Sequence, residues 1–563
     1  MKKKCLLYFF LFLIAIPLVF SEKHMLLLAV EESALGEKGA IAHLYLKTIG
    51  GKGEVFTATY PLTEMDTQIS ARLAKDIACD YARHKCDKDF LYTIKSDSPI
   101  VGGPSGGAAL AVITIAELLN EDIDEKVSVT GTINSGGIIG PVGGIKEKIK
   151  VAAVNGLETV LIPKGTRFMD TDDLENENQT YDLVELGKSL EVDVIEVSTV
   201  DEAYSYFVHK AVPEDTVVPE IDPKYRETMK NLAEVLCNRS RELEKGLSGK
   251  LYEEGRNLTA DADASYANEE YYSAASFCFG ASIKFLQSMY RNLNYDEVKE
   301  KLDELNEQRK KFEVPEYDSI TDLQIFMVVE ERLFETDSWL EKTNESLEQA
   351  KKNESYLETA RNQVAYASER LYSAHAWSNF FDNKEEELRF DREGLKEGCI
   401  KKLAEAEERY QYVKIYFPSL VKETQEELGQ AKKDRADEQY ELCIFKAAKA
   451  KAEADVLLGV MGIKSGYVEQ IIEEKLKAVG RILSEQTTFP IVAYSYYEYA
   501  NNLKDEDSYS SLLYSEYALE LADLSLYVEA GKEKFDLEEK KKIAVMIMVL
   551  LLLAVSIWFL YKK

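Results

Sequence analysis

A serine in one glycine-rich turn and a lysine behind a second could together break an amide bond. Ser105 sits in the run GGPSGG (102–107), ahead of an apolar stretch without Pro or Gly over 108–119 that predicts a helix stopped by Asn120. A hydroxyl at a helix N-terminus has unpaired N–H groups and the positive end of the dipole beside it, where an oxyanion would form. The amides around Gly103, Ser105 and Gly106 are the expected donors, since glycine lets a substrate backbone approach closely. About forty residues on, Gly143-Gly144-Ile145 opens another helix with Lys146 in its first turn. The dipole disfavours a cation there, and the reading assigns Lys146 as the base, with Lys148 and Lys150 on a solvated face. Bringing a lysine from roughly 10.4 to roughly 7 takes on the order of 4 to 5 kcal/mol, which a buried site can supply. In such a Ser/Lys dyad Ser105 attacks a carbonyl, the neutral amine takes its proton and returns it to the leaving amine, and water resolves the acyl-enzyme.

The same turn satisfies G-x-S-x-G, the nucleophile elbow of α/β-hydrolases, but that fold needs a histidine late in its domain. The histidines are His24, His43, His84, His209 and His375, of which only His209 is placeable.

These motifs carry a resemblance. GPSGG, then VTGTI, then GPVGGIKEKIKVAAVNGLETVLIPKG is similar to the proteolytic domain of Lon proteases, which has its serine in a DGPSAG-type motif and GGLKEK at its lysine helix. The resemblance covers roughly 25–210. It implies an α+β fold, Ser105 as nucleophile, Lys146 as base and Thr130 as the threonine touching that lysine. It also implies peptide-bond hydrolysis, and a homo-oligomeric ring as the quaternary expectation. Gly102 stands where the family usually has Asp, and Thr132 where it often has Glu.

The elements that would hold these residues are legible by pattern. Strands are expected over 24–30 and 41–48, a hairpin-type turn at 50–53 and its returning strand over 54–60. Helices are expected over 67–81 and up to Asn155-Gly156 after the lysine, then a strand over 159–162 ended by Pro163, a strand over 191–197 and a helix over 200–208. Pro213, Pro219 and Pro223 mark a linker (213–223). From 224 to 530 the chain is nearly all helix-forming. Tyr272, Tyr372, Tyr440 and Tyr509, spaced near multiples of thirty-four, leave a choice between tetratricopeptide-like pairs and an irregular bundle.

Both ends read as membrane-targeting. Lys2–Lys4 precede an apolar run that predicts a signal peptide over 1–21. After a juxtamembrane segment (531–542), the apolar run 543–561 is long enough to span a bilayer, leaving a cytoplasmic tail of 562–563. The expectation is a single-pass type I cell-membrane protein whose proteolytic domain (22–212) and helical domain (224–530) lie outside the cytoplasm. The net charge of −31 argues against nucleic-acid binding. Sequons at Asn178, Asn238, Asn257, Asn344 and Asn353, and six cysteines besides Cys5, suit an extracytoplasmic body, although the sequence leaves disulfides and buried thiols equally open. No Walker A spacing, CxxC or HExxH occurs, so the reading expects no nucleotide, metal or other cofactor. It expects an ATP-independent serine endopeptidase acting on unfolded or flexible polypeptides. The alternative is a non-catalytic scaffold whose helical ectodomain mediates protein–protein contacts.

Overall fold

The computed structural model describes residues 22–524 apart from 34–35, 64, 84–85, 102, 171–179, 212–217, 318, 382–391, 461–466, 487 and 523. The expected signal peptide, the span at 543–561 and the sequon at Asn178 lie outside the described residues. Among the described helices none is long and apolar enough to cross a membrane. The chain divides into two compact units, Met1–Thr216 with Asp455–Ala478, and Val217–Ala454 with Val479–Lys563.

The first unit is built on a four-stranded sheet ordered β1-β2-β4-β3, from β1 (Lys23–Ser33), β2 (Gly36–Gly50), β3 (Val55–Thr63) and β4 (Lys88–Val101). The turn at 50–53 does not join paired strands, contrary to the hairpin reading. β2 pairs antiparallel with β1 and β4, while β3 lies beyond β4 and parallel to it. The cause is Asp89 at the start of β4, whose carboxylate accepts the amides of Lys52 (2.8 Å) and Glu54 (3.0 Å). The turn therefore closes onto β4, which inserts between the two strands.

Helix α1 (Met65–Tyr81) lies between β3 and β4 in the chain, and helix α2 (Gly107–Leu119) comes after β4. Every residue of α2 from Gly107 to Ala116 is buried, which explains why its sequence is apolar on all faces. Tyr92 of β4 and Thr114 of α2 satisfy each other's hydroxyls at 2.6 Å in that core. Asn120 ends α2 in the left-handed conformation, where Asn is among the better tolerated side chains. Then come β5 (Val127–Val129), the hairpin β6 (Thr132–Asn134) and β7 (Ile138–Gly140), and helix α3 (Ile145–Val154). They are followed by β8 (Thr159–Pro163), β9 (Phe168–Asp170), β10 (Thr180–Asp182), α4 (Leu183–Ser189), β11 (Asp193–Val197) and α5 (Val200–Phe207). Strands β11, β8 and β5 form a second, parallel sheet.

The second unit is helical, beginning with α6 (Pro223–Leu243), α7 (Lys250–Ala267), α8 (Tyr271–Tyr290), α9 (Tyr295–Lys310), α10 (Ile320–Ala350) and α11 (Ser355–Ser378). It continues through α12 (Arg392–Tyr416), α13 (Lys422–Ala436), α14 (Tyr440–Gly459), α15 (Val468–Glu485), α16 (Ile491–Leu503) and α17 (Ser508–Leu521), of which α14 and α15 also contribute to the first unit. The helices run from 13 to 31 residues, unequal for a repeat array. Tyr225 of α6 meets Ser495 of α16 at 3.0 Å, and Tyr272 of α8 meets Tyr496 and Tyr499 edge to face. The four spaced tyrosines do not share an environment either, since Tyr272 is 7% exposed and Tyr509 59%. These features favour the irregular bundle. The six cysteines among the described residues pair as Cys79–Cys86, Cys237–Cys278 and Cys399–Cys443. The helical core also buries ion pairs, among them Lys446–Asp434, Lys451–Glu520 and Lys449–Glu331.

Candidate active site

The serine turn grows directly out of β4. After Val101 the chain turns at Gly103, whose φ of 91° is a backbone state that favours glycine, into a 3-10 turn (Pro104–Gly106) and then α2. Ser105 is half-buried within that turn. At the first residue of α2, a Cβ on Gly107 would lie 2.7 Å from Ile133 Cγ2 and 2.9 Å from the Ile133 amide, so only glycine lets the helix start press against β6. The helix-start amides are partly committed: Gly107 N–H donates to the Pro104 carbonyl and Ala108 N–H to the Gly131 carbonyl. Gly103, for its part, supplies the positive-φ backbone that opens the turn.

The residues after β5 clasp this turn. Gly131 N–H donates to the Ser105 carbonyl at 3.0 Å, alongside the 3.1 Å bond from Ala108 to Gly131. Thr130 is fully buried, and its N–H donates to Leu161 of β8 at 3.0 Å. Its hydroxyl accepts a hydrogen bond of 3.2 Å from Lys148 Nζ. One short stretch, Thr130–Gly131, is thus tied by its backbone to Ser105 and by its side chain to a lysine.

That lysine is Lys148 rather than Lys146. Lys148 is 2% exposed and shares the inward stripe of α3 with Ile145, Ile149 and Ala152, whereas Lys146 is half-buried and Lys150 is exposed and paired with Glu147. The solvated-face reading of Lys148 is therefore corrected, and the threonine contact expected for Lys146 belongs to Lys148. The signal was present in the sequence. Ile145, Ile149 and Ala152 recur at helical spacing, and 148 falls on the same face, three residues after Ile145 and four before Ala152. Gly144, left-handed at φ 66°, sets where α3 begins and so which lysine the stripe carries inward.

Of the two departures from the Lon pattern, Gly102 lies outside the described residues. Thr132 is half-buried at the start of β6, its hydroxyl accepting from Asn134 Nδ2 at 3.3 Å. No group of three or more His, Cys, Asp or Glu side chains poised to hold a metal occurs among the described residues. His209 meets Asp124 at 2.9 Å on an exposed edge.

The buried Lys148 amine and the Ser105 turn are thus linked through one strand end. Residues 69–209 match the Lon protease (S16) C-terminal proteolytic domain, so this part of the chain is a Lon-type proteolytic domain. The Lon protease of Phenylobacterium zucineum is 38% identical over 86 residues, 15% of this chain and 11% of that protein. The peroxisomal Lon protease homolog 2 of Eremothecium gossypii is 42% identical over 65 residues, 12% of this chain and 6% of that protein. The Lon protease of Lawsonia intracellularis is 28% identical over 183 residues, 31% of this chain and 20% of that protein. The chain thus spans a fifth or less of each of these relatives. The match supports a serine peptidase.

Proposed function

We propose that the chain is a serine endopeptidase in which Ser105 is the nucleophile and Lys148 the general base. The observation that carries this is the hydrogen bond from the buried Lys148 amine to Thr130, whose neighbour Gly131 holds the Ser105 carbonyl. Burial disfavours the ammonium form of an amine, the direction a base working near neutral pH needs. Ser105 Oγ attacks the scissile carbonyl as its proton passes to Lys148 Nζ, and the Ser105 and Gly106 amides hold the oxyanion. Collapse expels the amine, which takes the proton from Lys148. Water then attacks the acyl-enzyme as one of its protons passes to Lys148, and the departing Ser105 Oγ takes that proton, restoring the hydroxyl and the neutral amine. Lon proteases act on polypeptides, and a polypeptide substrate is proposed here, cut without ATP and therefore in an unfolded or flexible state.

The expected placement outside the cytoplasm, with a membrane anchor at 543–561, is part of the same proposal. Its support is the pairing of all six cysteines outside the leader, which an oxidising compartment sustains. The homo-oligomeric ring stays a proposal resting on the family. A fluorophosphonate probe tests the enzyme against the scaffold reading: labelling at Ser105, lost in Ser105→Ala, is expected. A folded wild type that never labels would return the chain to the scaffold class.

A further inference from the structure

Residues 455–478 group with the proteolytic unit although chain order puts them among the helices. Their foothold is specific. Gly165, in the turn after β8 at φ 85°, lies under the ring of Tyr467; a Cβ there would come within 2.7 Å of Tyr467 Cδ1. One turn on, Ile471 of α15 reaches a small cleft of about 30 Å³ shared with Tyr467, Ile138, Ile139 and Ser198. That volume suits a water or so and no substrate, so the cleft is a packing seam. Lys164, Gln470 and Glu474 complete its lining, and the Ser198 hydroxyl is buried there without a hydrogen-bond partner.

The seam leads to the catalytic strand end. Ile139 N–H donates to the Ser198 carbonyl at 2.9 Å, fixing β7 against the turn before α5. On its other side Ile139 lies against Gly131, so closely that a Cβ on that glycine would overlap its Cγ2. Gly131 bonds to Ser105, and Thr130 to Lys148. From Tyr467 to the two proposed catalytic side chains every step is a packed contact, a hydrogen bond or a covalent neighbour.

We infer that Tyr467 and Ile471 are positioning residues for the dyad. They brace β7 from below so that Thr130–Gly131 holds Ser105 and Lys148 in register. This inference rests on the dyad reading above. It gives the helical segment a role in the reaction, because displacing α15 would slacken the strand end between nucleophile and base. A misplacement of about 1 Å at such a point can cost on the order of a hundred-fold in rate.

The test uses the full chain and an unstructured fluorogenic polypeptide, with kcat and KM measured separately and the rate of fluorophosphonate labelling at Ser105 followed in parallel. Tyr467→Ala is expected to lower kcat and the labelling rate at least ten-fold with KM within about two-fold, and Tyr467→Phe, which keeps the ring, to restore both. Ile471→Ala provides an independent reading should Tyr467→Ala fail to fold. The inference is overturned if a folded Ala variant works at the wild-type rate, if the loss resides in KM alone, or if Tyr467→Phe is as impaired as Tyr467→Ala. A wild type that never labels removes the dyad reading and this inference with it. A labelling wild type beside an unaffected Tyr467→Ala removes only the inference.

Discussion

Exchanging each lysine of α3 for methionine separates the two candidate bases. Methionine keeps most of the lysine stem and deletes the amine, so Lys148→Met should fill the same buried space. It leaves the Thr130 hydroxyl without its donor, at a cost of about 1 to 3 kcal/mol, and relieves the burial of an amine, which offsets part of that cost. The net change in stability should stay near 1 kcal/mol, a few degrees in Tm. Activity should fall far more, because a positioned general base contributes about 10²- to 10⁴-fold, or roughly 3 to 5 kcal/mol of barrier. Lys146→Met, on a half-buried position off the inward stripe, should shift stability by no more than about 0.5 kcal/mol and leave turnover within about two-fold. The assay is kcat/KM on an unstructured polypeptide, with urea unfolding as the control for folding. The reasoning fails if Lys148→Met keeps more than a tenth of wild-type turnover, or if Lys146→Met loses as much as Lys148→Met.

Two further predictions concern the helical unit. Burial, above all, pushes the carboxyls of Glu453 and Glu498 up to about 7 from an ordinary value of 4.5. A folded-state value above the unfolded one means that stability is fullest below about 4.5 and is lost as pH rises through about 7, by up to about 3 kcal/mol per group. Urea midpoints should therefore fall between pH 5.5 and 8, and Glu498→Gln should flatten that fall; an unchanged slope would remove Glu498 as its source. The Cys237–Cys278 bridge spans 41 residues, for which chain entropy predicts roughly 4 kcal/mol, so replacing both cysteines by alanine should destabilise the helical unit by about that much in urea unfolding, and a loss below about 1 kcal/mol would contradict it.

Local chemistry made much of the proteolytic unit legible. Asn120 and Asn155-Gly156 announced where two helices end, and both helices stop there. What stayed hidden was non-local. Nothing near 50–53 says that a strand beginning at Lys88 will enter between the two it separates, because the agent is the Asp89 carboxylate more than thirty residues on. The six cysteines likewise showed an even number without a pairing, since pairing depends on which helices meet. The site was half legible for a different reason. Motif position drew attention to the first lysine after Gly143-Gly144, while the periodicity of the same ten-residue helix pointed to the third residue after Ile145.

The lysine that turns inward, and that is proposed as the base, is chosen by geometry rather than by motif order. An α-helix entering at Gly144 turns about 100° per residue, so the second and fourth helical residues face nearly opposite ways. With Ile145 and Ile149 facing the core, Lys148 must follow them inward, where Thr130 awaits it. The same inward face is what keeps the amine from water, so burial and direction come from a single periodicity. A one-residue insertion between Gly144 and Ile145 would then be tolerated if the helix start shifted with it, keeping the stripe and Lys148 together. One placed between Lys148 and Ile149 would rotate the amine off the face that Ile149 and Ala152 keep toward the core, while leaving Ser105 untouched. The second insertion should abolish turnover, and the first should retain a measurable fraction of it. Equal activity in the two proteins would mean that the position of the amine on α3 does not govern the reaction.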